Sequence, residues 1–140
     1  MTMSAEPGAL VVVDASAVLA VVLSEPERAG LIAATEGVLL VAPGSLPWEV
    51  GNGLVAAMRR RRLDLKAAMQ AWEAFDAIPV QLVDIGVRAA LQLASERGLY
   101  AYDAYVLKLA QERRLPLLTL DQPLQRAARA IGAALWEVER

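Results

Sequence analysis

Short apolar runs alternate with longer segments of helical periodicity along the chain. The apolar runs are rich in aliphatic residues, many of them β-branched. Such runs are typical of strands that are buried on both faces of a sheet. Strands are therefore predicted at residues 9–13, 38–41, 80–83, 117–120 and 134–138.

Helices are predicted between these strands. Pro26 begins a helix that Gly37 closes, and Asp64 is placed to cap another. The predicted helices cover residues 15–23, 26–35, 47–61, 65–77, 86–97, 103–113 and 122–130. Because helical connections join successive strands, we predict an α/β fold with a mostly parallel sheet covered on both faces. No repeat or linker divides the sequence, so residues 1–140 are expected to form one domain.

The composition narrows the chemistry that the chain can perform. Cysteine and histidine are both absent, which excludes disulfides, thiol catalysis, Ser-His-Asp triads and histidine metal ligands. The net charge of −2 provides no overall positive field, so any contact with nucleic acid must be local. Apolar residues make up 56% of the chain, which suggests that a partner or a second copy covers some apolar surface.

No export or membrane segment is evident in the sequence. The N-terminus lacks a basic region, and Asp14 interrupts the apolar run at residues 9–23. That run is also shorter than the roughly 20 residues of a spanning helix. We expect a cytoplasmic protein.

Four acidic residues stand in largely apolar stretches, each where a predicted strand ends or a predicted helix begins. They are Asp14, Glu49, Asp103 and Asp121. Open parallel sheets bind ligands beyond the carboxyl ends of their strands, so these side chains can share one crevice. Carboxylates gathered there repel one another unless a counterion is present, and Mg²⁺ or Mn²⁺ prefers such oxygen ligands. The four residues are therefore candidate metal ligands and catalytic residues.

Three polar neighbours are candidates for orienting the carboxylates. Ser16 follows Asp14 by two positions, and Thr119 precedes Asp121 by two. Asn52 stands one helical turn after Glu49. Such groups commonly hold metal ligands in place, although each also has ordinary local hydrogen bonding as an explanation.

The acids have structural explanations too. Asp103 and Asp121 could be simple helix N-caps, and Glu49 could complement a helix dipole. Asp14 is harder to explain in this way because it closes a fully apolar strand.

The densest basic run of the sequence consists of Arg59, Arg60, Arg61 and Arg62. These residues are candidate contacts for RNA phosphates. The alternative is a solvated helix end whose cations interact favourably with the helix dipole.

Taken together, the motifs resemble the PIN domain, specifically the VapC-type toxin ribonucleases of toxin–antitoxin pairs. Each motif alone is unspecific, but four of them occur in the family's order over nearly the whole chain. The matching segments are Asp14-Ala15-Ser16, Glu49 with Asn52, Tyr102-Asp103-Ala104-Tyr105, and Thr119 with Asp121.

The resemblance implies a three-layer α/β/α fold with a five-stranded sheet of order 3-2-1-4-5. It also implies a Mg²⁺- or Mn²⁺-dependent endoribonuclease that hydrolyses tRNA or ribosomal RNA and inhibits translation. The implied partners are a second copy of the chain in a homodimer and a cognate VapB-like antitoxin.

Other functions remain open from the sequence. A housekeeping PIN-domain nuclease would need no antitoxin. A non-catalytic binding module, such as a receiver-like or degenerate PIN domain, would act through protein contacts alone. A haloacid-dehalogenase-like phosphatase normally opens with Asp-x-Asp after its first strand, whereas this chain has Asp14 and then Ser16.

Overall fold

The computed structural model describes residues 8–139. Within this range the chain forms four strands and seven helices. The strands are β1 (Leu10–Val13), β2 (Leu39–Pro43), β3 (Val80–Val83) and β4 (Leu117–Leu118). The helices are α1 (Ala15–Val22), α2 (Arg28–Ala34), α3 (Leu46–Arg59), α4 (Leu65–Asp76), α5 (Val87–Arg97), α6 (Ala101–Arg113) and α7 (Gln122–Ala130).

The sheet is parallel, with strand order β3-β2-β1-β4. Alternate residues of β1 enter different cores, because successive side chains of a strand point to opposite faces. Val11 and Val13 pack with α1 to α4, whereas Val12 packs with α5 to α7. The predicted α/β class and three-layer arrangement are confirmed.

The four-stranded sheet differs from the expected five strands. The segment predicted as a fifth strand, residues 134–138, pairs with β4 through a single parallel bridge between Leu117 and Leu135. It lies beside β4, where the order 3-2-1-4-5 requires it. The ladder stops there because β4 ends at Leu118, after which Thr119 forms side-chain and carbonyl hydrogen bonds outside the sheet.

The central pair of strands defines one edge of the sheet as the place for a ligand. Val13 of β1 pairs with Leu118 of β4, and Asp14 N donates to Leu118 O at 3.0 Å. The order of strands reverses between β1 and β4, so their carboxyl ends flank a crevice.

Helices α1 and α3 begin near this crevice and pack closely against each other. A Cβ atom at Gly53 would overlap the side chain of Leu19, so glycine permits this close approach. Within residues 8–139, no helix combines the length and the apolar character that crossing a bilayer requires.

Candidate functional site

Asp14 lies between β1 and α1 and is 6% exposed. Its Oδ2 atom accepts hydrogen bonds from Ser16 Oγ at 2.7 Å and Thr119 Oγ1 at 2.8 Å. The Ser16 amide adds a longer bond of 3.4 Å, which caps α1. The other oxygen, Oδ1, accepts no hydrogen bond from the residues that the structure describes. No fully buried side-chain oxygen in that part of the chain lacks a partner, so Oδ1 reaches solvent.

The two hydroxyl groups that hold Asp14 are themselves held by backbone amides. Leu120 N donates to Ser16 Oγ at 3.0 Å, and Asp121 N donates to Thr119 Oγ1 at 3.1 Å. Each hydroxyl carries one proton, and both protons point at the same carboxylate oxygen. Hydrogen bonds in such chains polarise and strengthen one another. The network therefore fixes the orientation of Asp14 and joins the ends of β1 and β4.

Glu49 lies in the first turn of α3 and is half-buried. Ser45 Oγ donates to Glu49 Oε2 at 2.9 Å. Burial raises the pKa of Glu49 from its ordinary 4.5 to about 7; the Ser45 bond opposes this rise, and the charges of Asp14 and Asp103 add to it. Glu49 is therefore close to the other acids, in a position where a negative charge is costly.

Asp103 is the third residue of α6 and is also half-buried. The pKa of Asp103 is raised from 3.8 to about 6, chiefly by burial and also by the charges of Asp14 and Asp121. Tyr100 occupies the N-cap position of α6. Asp103 is thus inside the helix, and a role as the N-cap does not explain it.

Asp121 occupies the N-cap position of α7, but its side chain makes no capping hydrogen bond. Its carboxylate contributes to the raised pKa of Asp103. The structure thus brings Asp121 into the group of acids and gives no support to a simple capping role.

The four acids fit a divalent cation in chemistry and in charge. Their oxygens are hard ligands, and two of the carboxyl groups carry raised pKa values that a nearby cation would lower. In residues 8–139, however, no three acidic side chains converge closely enough to form a complete metal cluster. Binding an ion there would require the half-buried acids to change side-chain conformation.

Asn52 and the basic run make no hydrogen bond or ion pair with the four acids in residues 8–139. The exposed side chain of Asn52 makes no hydrogen bond within the described part of the chain. The basic run begins at Arg59, the last residue of α3, about 15 Å from Glu49 by helix rise. Within the run, Arg62 Nη2 forms an ion pair with Glu25 Oε1 at 2.7 Å.

Sequence reasoning missed two residues that contact the site. Ser45 holds Glu49 from four positions earlier, and the Gln125 side chain donates to Thr119 O at 2.8 Å. Gln125 also stands four positions after Asp121. Spacing of one helical turn from a candidate acid was the available signal in both cases.

The family model of the PIN domain matches residues 11–130. A crystal structure of PAE2754 from Pyrobaculum aerophilum is 29% identical with a TM-score of 0.67, and the match covers 86% of each chain. A crystal structure of VapBC2 from Rickettsia felis, bound to a DNA fragment from their promoter, has a TM-score of 0.61. It is 9% identical, with 93% of this chain and 99% of that chain covered. A search of curated proteins found no match.

Proposed function

The chain belongs to the PIN domain family, whose members are nucleases, and from this premise we propose that it is a Mg²⁺- or Mn²⁺-dependent endoribonuclease. The observation that carries the proposal is the group of four acids at the carboxyl ends of β1 and β4. The raised pKa values of Glu49 and Asp103 support a site that is completed by a cation.

Asp14, Glu49, Asp103 and Asp121 would hold the cation, which would supply positive charge to stabilise the charge that develops on the phosphate. Asp14 presents Oδ1 for this purpose because Oδ2 is occupied by hydroxyl groups. Glu49, with a pKa of about 7, is about half protonated at neutral pH. It would therefore release a proton when a cation binds.

The basic run supports RNA as the substrate, and its four arginines are not equivalent. Arg62 is paired with Glu25, whereas Arg60 has no ion pair in the described part of the chain. Arg60 lines a cleft of about 430 Å³ that also includes Ser16. This cleft follows α1 and α3 and is also lined by Arg62, Glu25 and Glu27. Because Glu25 pairs with Arg62, Arg60 is the arginine that would contact the phosphates of RNA reaching the acids. Arg59 and Arg61 are exposed beside this path.

We also propose that the nuclease is the toxin of a type II toxin–antitoxin pair that acts in the cytoplasm on tRNA or ribosomal RNA and inhibits translation. The structural similarity to VapBC2, a toxin–antitoxin complex, supports a VapB-like antitoxin as partner. A homodimer is supported by large apolar side chains at the surface, which include Trp48 at 72% exposed and Leu91 at 57% exposed.

Cleavage of RNA by the purified chain, with and without EDTA, tests the enzymatic proposal. We expect Mg²⁺-dependent cleavage that leaves 5′-phosphate and 3′-hydroxyl ends. Asp14→Asn should abolish it, because a ligand charge is lost at nearly constant volume. Asp84→Asn is the matched control, since Asp84 follows β3, at the other side of the sheet, and is exposed. Cleavage that persists in EDTA, or products with cyclic phosphate ends, would contradict the proposal.

A further inference from the structure

Thr119 connects three parts of the candidate site. Its hydroxyl donates to Asp14 and accepts from Asp121 N. It is 4% exposed and lies where β4 has just ended. The position of Thr119 therefore determines which oxygen of Asp14 faces the crevice. It also determines where the backbone of Asp121 lies after the end of β4.

Gln125 holds the carbonyl group of Thr119 from α7. Its Nε2 atom donates to Thr119 O at 2.8 Å, and its backbone N donates to Asp121 O at 2.9 Å. The side chain is half-buried, and the bond returns from the second turn of the helix to a residue two positions before the N-cap Asp121. Gln125 thus closes a loop around Thr119 to Asp121.

This bond replaces one that the sheet would otherwise form. Beside β4, Leu117 N donates to Ala134 O, and Trp136 N donates to Leu117 O, both at 2.9 Å. A regular parallel ladder would continue with a bond from Thr119 N to Trp136 O and then one from Val138 N to Thr119 O, and neither forms in residues 8–139. The amide of Gln125 binds Thr119 O instead, at the point where the pairing of β4 with β1 has ended and the chain turns toward the acids.

We propose that Gln125 is a positioning residue of the candidate metal centre, an inference that rests on the proposed nuclease function. By holding Thr119 O outside the ladder, Gln125 keeps the Thr119 hydroxyl on Asp14 and sets the start of α7 at Asp121. Without this amide, the carbonyl is free to accept from Val138 N. The strand then lengthens, and Asp14 and Asp121 move apart. Thr119 O still accepts one hydrogen bond, now from Val138 N.

The test uses Gln125→Met, which removes the hydrogen-bond donor, keeps a similar size and adds no charge. Gln122→Met is the matched control. Gln122 is exposed on the same helix and makes no hydrogen bond to Thr119. The first readout is the increase in melting temperature that Mg²⁺ produces in the RNA-free protein. The second is the Mg²⁺ concentration that gives half-maximal RNA cleavage, with kcat and KM for RNA measured separately.

For Gln125→Met we expect about a tenfold higher Mg²⁺ requirement, the lower end of the range for residues that orient metal ligands. The Mg²⁺-induced rise in melting temperature should shrink in parallel, while KM for RNA at saturating Mg²⁺ stays within about twofold. Gln125→His, which retains a neutral donor, should restore most of the cation response. Gln122→Met should behave as the unmodified protein.

An unchanged Mg²⁺ requirement in Gln125→Met would overturn the role of Gln125 while leaving the nuclease proposal intact. If the unmodified protein binds Mg²⁺ but does not cleave RNA, the nuclease proposal fails and the melting temperatures still decide the role of Gln125. If Gln125→Met does not fold, Gln125→Glu provides a second donor-free variant of the same shape. Loss of folding in both would assign Gln125 to stability alone and would overturn the proposal.

Discussion

Ser16 Oγ and Thr119 Oγ1 lie 3.2 Å apart although 103 positions separate them in the chain. Both hydroxyl groups donate to Asp14 Oδ2, so the carboxylate that closes β1 is held from the end of β4. This arrangement leaves Oδ1 for a ligand. It also couples the stability of the central strands to the geometry of the site.

Replacement of Thr119 by valine tests this coupling. The substitution keeps the shape but removes a donor to Asp14 and an acceptor for Asp121 N, both in a buried place. Thr119→Val should lower the free energy of unfolding by about 1–3 kcal/mol and weaken Mg²⁺ binding. Urea unfolding measures the first effect, and Mg²⁺ titration of the melting temperature measures the second.

Thr35→Val is the control for Thr119→Val, because the Thr35 hydroxyl bonds to Leu31 O at the end of α2, within its own helix. It should cost less than about 1 kcal/mol and leave the cation response unchanged. Equal effects of the two substitutions on Mg²⁺ binding would refute the coupling.

The raised pKa values of Glu49 and Asp103 predict how stability depends on pH without added cations. The pKa of Glu49 rises from 4.5 to about 7 on folding, and that of Asp103 rises from 3.8 to about 6. At a pH between the ordinary and the raised values, the folded protein therefore binds more protons than the unfolded chain. Their stabilising contribution is therefore complete below the ordinary pKa values and is lost as pH rises through the raised ones. Thermal unfolding across this range measures the loss.

Added Mg²⁺ should act in the opposite direction. The cation relieves repulsion between charged carboxylates, so it should stabilise the protein more at about pH 8 than at about pH 5. Glu49→Gln should flatten the pH dependence, whereas Glu73→Gln, an exposed change on α4, should not. Equal stabilisation at both pH values would argue against a cation bound by these acids.

The Ser45 hydroxyl stabilises the charged form of Glu49. Ser45→Ala should therefore raise the pKa of Glu49 further, and the pH at which Mg²⁺ binding reaches half of its maximum should move upward. An NMR titration of the Glu49 side-chain carboxyl group follows this directly. Ser95→Ala, an exposed change on α5, should leave the titration where it is; an unchanged pKa in Ser45→Ala would remove Ser45 from the site.

The arginines of the basic run are distinguished by the salt dependence of RNA binding. Arg60→Ala should reduce the slope of log K against log salt by roughly 0.7, the value for one phosphate of a single strand. Arg62→Ala should instead cost about 0.2–1 kcal/mol of stability through its exposed ion pair with Glu25. Arg88→Ala, an exposed change on α5 outside the cleft that Arg60 lines, is the control. The same slope for Arg60→Ala and the unmodified protein would exclude Arg60 as an RNA contact.

The hydrophobic pattern alone determined most of the fold. Strand β1 was predicted within one residue of its ends, because a strand buried on both faces is apolar throughout. The positions of the four acids along the chain also predicted that they would meet at one edge of a parallel sheet. The predicted length of β4, residues 117–120, was wrong, because the pairing with β1 stops at Leu118 and Thr119 O bonds to Gln125, and both are tertiary contacts.

The tertiary structure decided how the acids are held. The hydrogen bond between Asp14 and Thr119 joins residues 105 positions apart and leaves no pattern in the local sequence. The sequence therefore did not predict which oxygen of Asp14 is occupied and which is free. The same holds for the raised pKa values of Glu49 and Asp103, which depend on burial and on charges from other elements. Local periodicity determines which elements form, because it reports the burial of neighbouring residues. The site depends on contacts between distant residues, which become defined when the elements pack.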